Sequence, residues 1–165
     1  MFDTFLATMI VIGGLATVSV HTYAAEPYTP PQGIELSPDL LNLLRAEMRE
    51  IAGGVQGIAV SLATADWKSI QETSTKIRAS YIMEKKLTPV QTKELGQALP
   101  DPFKKLDAEF HQRAERLGEA AAAHDSELVA FHYSRLIESC TVCHSAYAKS
   151  RFPGFSSPAY QGHSH

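Results

Sequence analysis

Apolar residues recur at Leu40, Leu41, Leu44, Met48, Ile51, Val55, Ile58 and Leu62, three and four apart, which is the spacing of one helix face. Ser37 is a good N-cap and Pro38 is pre-organised for a first helical position, so the stripe predicts a first helix of about seven turns. Gly53, Gly54 and Gly57 interrupt it, each at about 1 kcal/mol relative to Ala. Their presence points either to close approach by something flat or bulky, or to a kink or tight helix contact. A second helix is predicted from Asp66 to Lys85, with Trp67, Ile70, Ile77, Tyr81 and Ile82 inward. Thr88–Pro89 caps a short segment to about Leu95, and Leu99–Pro100–Asp101–Pro102 marks a break. Phe103, Leu106, Phe110, Ala114, Leu117 and Ala121 then continue at helical spacing to about His124, and Asp125–Ser126 opens a fourth long helix that stops before Pro153–Gly154. No segment of strand period competes with these four. The expected fold is all-α, an antiparallel four-helix bundle.

The ends of the chain read differently. Residues 1–25 resemble a signal peptide: Phe5 to Val20 is mostly apolar and the small pair Ala24–Ala25 could close it. Its leading region carries Asp3 and no Lys or Arg, so an uncleaved membrane anchor is the alternative, and membrane association is expected only in that case. Export to the periplasm is the expected consequence of cleavage. Residues 26–36 hold Pro27, Pro30, Pro31 and Gly33 and read as an extended linker, 37–152 as the bundle, and 153–165 as a flexible tail. A chain of 165 residues is enough for a single core, and a formal charge of −3 gives no sign of a nucleic-acid partner.

The chemistry concentrates in Cys140-Thr141-Val142-Cys143-His144, a C-x-x-C-H run holding the only two cysteines. This is the attachment signature of a c-type haem, in which two thiols add across the haem vinyl groups and the imidazole becomes an axial iron ligand. On a helix, positions 140, 143 and 144 fall close together. A redox C-x-x-C pair would call for a βαβ setting and a zinc site for a second ligand pair; neither context is visible. Cys140 and Cys143 are therefore the candidate cofactor-binding residues, and His144 a metal ligand.

An exported four-helix domain whose single C-x-x-C-H lies on the last helix resembles the cytochrome c prime family. The resemblance covers roughly residues 37–152 by helix pattern, and by residue Cys140, Cys143, His144 and Tyr147. The Arg that commonly follows that aromatic residue is here Ala148, with Lys149 next, so no role of that Arg transfers. The resemblance implies one covalent haem c and puts the distal residue partway along the first helix. Only Met48 and Met83 are methionines beyond the signal segment. Low-spin relatives ligate iron with a Met in the first helix, which makes Met48 the candidate sixth ligand; ordinary core filling is the competing role. Met83, among charged residues, is the weaker candidate.

His111, His124 and His132 read as ordinary helical histidines, with His132 eight residues before Cys140. Arg45, Arg49, Lys76 and Arg78 could meet haem propionates but fit a solvated mixed-charge face better. The expected role is an electron carrier with His/Met ligation, transient redox protein partners and no catalytic residues. A five-coordinate protein binding nitric oxide or carbon monoxide is the alternative. The distal His with Arg or acid needed by a peroxidase cannot be assigned. The resemblance also implies pairing of two copies through the first two helices.

Overall fold

A computed structural model describes residues 34–156; the expected signal peptide and most of the linker and tail lie outside them. Helix α1 runs Pro38–Ala63, α2 Trp67–Arg78, α3 Met83–Lys86, α4 Pro89–Ala98, α5 Asp101–Ala122 and α6 Ser126–Tyr147. No strand occurs among the described residues. The long helices α1, α2, α5 and α6 form the bundle, and α3 and α4 make up the crossing between its halves.

The helices start where their caps dictate. Asp66 accepts the Ser69 N–H at 3.1 Å and the Ser69 hydroxyl at 2.7 Å, and Asp125 accepts the Leu128 N–H at 2.9 Å. Thr88 and Gln91 form a reciprocal capping box at α4. Ser37 occupies the cap position of α1 without a side-chain cap. Its backbone N–H donates instead to Glu94 at 3.3 Å, tying α4 to the start of α1.

Helix α2 ends at Arg78 rather than at Lys85. The chain leaves the helix at Ser80, whose φ is 52°, and the next three N–H groups turn to the Glu47 carboxylate instead of to carbonyls of a continuing helix. A side chain from another helix therefore outcompetes the local apolar period. At the far end, Pro153–Ser156, the head of the expected tail, form a 3-10 turn.

Cross-helix contacts set the directions. Gly54 on α1 meets Thr73 on α2, and Glu47 reaches Tyr81, so α2 returns along α1. His111 on α5 donates from Nδ1 to the Ile77 carbonyl at 2.8 Å, because a carbonyl only accepts. Gly118 lies against Ser74, so α5 reverses again. Phe103 packs edge-on against Tyr147, and Arg113 donates to Glu138 at 3.0 Å, which makes α6 antiparallel to α5. The core is continuous through Ile51, Ile58, Ile70, Ile77, Leu117 and Leu136, each side chain contributing about 1.5–3 kcal/mol by leaving water.

Of the three glycines of α1, one makes the expected tight helix contact. A Cβ on Gly54 would lie 2.6 Å from the Tyr81 hydroxyl, a tight contact, whereas Gly53 and Gly57 face open space.

Candidate functional site

On α6, Tyr133, Ile137, Cys140 and His144 follow at intervals of four, three and four residues and so share one stripe. On α1, Val55, Met48 and Leu44 do the same at seven and four. The two stripes are brought face to face by one bond: the Tyr133 hydroxyl donates to the Val55 carbonyl at 3.2 Å. Because the helices are antiparallel, heights can be counted from it. Cys140 lies seven residues after Tyr133 and Met48 seven before Val55, each about 10 Å along its helix at ~1.5 Å per residue. Met48 is thus level with Cys140, and Leu44 with His144.

This is also the side of the bundle where neighbouring helices touch least, since α1 meets α6 far more sparsely than α2 meets α5 or α5 meets α6. The apolar side chains there remain open: Met48 is 39% exposed and Ile137 37%. Two half-covered apolar stripes with thiols and an imidazole between them fit a flat, largely apolar macrocycle, which would cover both at once.

The thiols lack the lowered pKa of a reactive redox pair. Cys140 and Cys143 are free and half-buried. Burial pushes the Cys140 thiol up and the Cys143 thiol up to about 11, the latter helped by the nearby Asp107 charge. Reactive C-x-x-C pairs depend on the opposite shift. Among the described residues no group of three or more His, Cys, Asp or Glu could hold a metal ion, so a zinc site built from protein ligands alone has no support there. Burial lowers the His144 imidazole, favouring its neutral form with a free lone pair. Its ring stacks on Phe152 at 4.8 Å. The chain turns back after α6 through Phe152 N–H to Ala148 carbonyl at 3.0 Å, which returns that phenyl to the imidazole.

Met83 lies closer to the site than its sequence position implied. Its N–H donates to Glu47, the residue before Met48, at 3.2 Å and to the Ser80 hydroxyl at 3.1 Å. The other histidines are placed elsewhere: His111 is tied to Ile77 and Asp107, His124 stacks on Trp67 at 5.9 Å, and His132 lies edge-on to Phe131 at 5.3 Å. Arg78 pairs with Glu115 at 2.9 Å, toward α5, while Arg45 and Arg49 are exposed on α1 near the height of the motif.

Three residues escaped sequence reasoning. Glu47 stands among charged neighbours and outside the apolar period, yet it is 3% exposed; its spacing of seven from Gly54 and four from Ile51 is the available signal. Phe152 stands at the last residue of the expected bundle, after α6 has ended at Tyr147, and gave none. Tyr133, one aromatic residue among the neighbours of the motif on the fourth helix, gave no signal of its own.

Compared with known proteins, the chain matches a family model described as Cytochrome C' over residues 34–148, a stretch that includes the C-x-x-C-H run. Neither the curated proteins nor the solved structures gave a match.

Proposed function

This chain belongs to the cytochrome c' family and is a haem c-containing cytochrome, and from that premise we propose that it is an exported, periplasmic monohaem electron carrier with His144 and Met48 as axial iron ligands. The observation that carries the reading is the level placement of Met48 opposite Cys140, on an apolar stripe that faces the motif and is left partly uncovered.

When bound, the haem supplies one-electron redox chemistry, and a thioether in the sixth position raises its reduction potential. Everything else falls to the chain. Cys140 and Cys143 hold the group by thioether bonds, and the neutral His144 imidazole presents a lone pair while Phe152 braces its ring. Ile137, Leu44 and Val55 exclude water beside it. Met48, which has three rotatable bonds and a polarizable sulfur, has the reach and softness for a ligand on this stripe. Met83 is held through its backbone on the α2 side of α1. A carrier of this kind has no catalytic residues, and its partners are redox proteins met transiently. The exposed α1 face at Gly53 and Gly57 could support pairing of two copies. No helix among the described residues is long and apolar enough to cross a membrane.

The near-infrared spectrum of the oxidised, haem-loaded protein tests the ligand. A sulfur-to-iron band should be present in the wild type, absent in Met48→Ala and retained in Met83→Ala. Loss of the band only in Met83→Ala would transfer the role to Met83.

A further inference from the structure

Glu47 is a buried carboxylate. It is 3% exposed, and among the described residues no ion pair joins it. Burying such a charge is costly unless hydrogen bonds replace its water. Three do: the N–H groups of Tyr81, Ile82 and Met83 donate to it at 2.8, 2.5 and 3.2 Å. These donors follow Ser80, where the left-handed backbone turns the chain out of α2. Ile82 is itself buried beneath them. Glu47 thus pins the α2–α3 turn to α1 at a single point.

That point adjoins the candidate ligand. Glu47 and Gly54, seven residues apart, make the stripe of α1 that faces α2 and the Tyr81 turn; Met48 and Val55, also seven apart, make the next stripe, facing α6. One residue advances a helix by about 100°, so whatever fixes the rotation of Glu47 fixes that of Met48. Two anchors, Glu47 on the α2 side and the Tyr133 bond to Val55 on the α6 side, bracket about two turns of α1.

We infer that Glu47 is a positioning residue for the sixth iron ligand: by locking the turn at Tyr81–Met83 onto α1, its carboxylate holds Met48 toward Cys140 and His144. This rests on the reading of Met48 as that ligand. The carboxylate touches no reacting atom and acts through the rotation and register of α1.

The test uses the full, exported, haem-loaded protein and its Glu47→Gln variant, with Leu117→Ala as a control that weakens the same core away from the site. Three readouts are compared: the near-infrared sulfur-to-iron band, carbon monoxide binding to the reduced protein, and hydrogen exchange at the amides of Tyr81, Ile82 and Met83. In Glu47→Gln those amides should exchange roughly tenfold faster or more, the scale of losing a hydrogen bond to a charged group. The band should weaken and carbon monoxide, which leaves the wild-type spectrum unmoved, should begin to bind, while Leu117→Ala keeps the band. Should Glu47→Gln fail to accumulate, Glu47→Asp, which keeps the charge but is too short to reach all three donors, is read the same way. Faster exchange with an unchanged band and unchanged gas binding would overturn the inference and leave Glu47 a structural cap. A wild-type protein that lacks the band would instead overturn the Met48 reading, and this inference with it.

Discussion

The Tyr133 hydroxyl donates to the Val55 carbonyl at 3.2 Å and joins the last bundle helix to the first across residues 78 positions apart. This bond sets the register from which Met48 is level with Cys140. Val55 is in mid-helix, so its carbonyl keeps an intrahelical partner without Tyr133. Tyr133→Phe should therefore cost only about 1 kcal/mol of stability, read as a lower urea midpoint with an unchanged slope. A larger loss would mean that the α1–α6 register itself shifts.

Two glycines of α1, three residues apart, should respond with opposite sign. Gly57→Ala places a Cβ in open space and should stabilise by roughly 0.5–1 kcal/mol through helix propensity and unfolded-state entropy. Gly54→Ala puts one 2.6 Å from the Tyr81 hydroxyl and 3.0 Å from Thr73 Cγ2, so it should destabilise by about 1–3 kcal/mol as an overpacked contact. Thermal unfolding of the two variants side by side gives the sign of each.

Phe152→Ala removes the ring stacked on His144, a pair of the kind worth about 0.5–1.5 kcal/mol. Haem attachment should be unaffected, since neither thiol depends on the phenyl. The spread of haem-methyl proton shifts in the oxidised protein should change, because it reports the plane of the axial imidazole. Unchanged shifts would reduce Phe152 to a packing residue.

Leu117→Ala deletes a fully buried side chain at the centre of the bundle and should cost about 2–5 kcal/mol. Denaturant unfolding should show that loss while the optical spectrum of the folded protein stays the same, separating core stability from the site.

Much of this was legible in the sequence because it is periodic. The four long helices follow from stripes such as Phe103–Ala121 and from caps such as Asp125, and the C-x-x-C-H run carries its chemistry in its spacing. Features made by one helix acting on another were not legible. The α2 period runs on through Tyr81 and Ile82, and only the Glu47 carboxylate, 34 residues upstream of Tyr81, explains why the helix stops at Arg78. Gly53, Gly54 and Gly57 look alike along the chain, yet Tyr81 crowds one of them and leaves the other two free. Phe152 reaches His144 through a turn that no apolar period announces.

Carbon monoxide added to the reduced, haem-loaded protein tests the central claim most directly. With Met48 on the iron, the wild-type optical spectrum should not move, and that of Met48→Ala should shift as the gas enters the vacated position. A wild-type spectrum that shifts readily would contradict Met48 ligation and identify a five-coordinate, gas-binding protein instead.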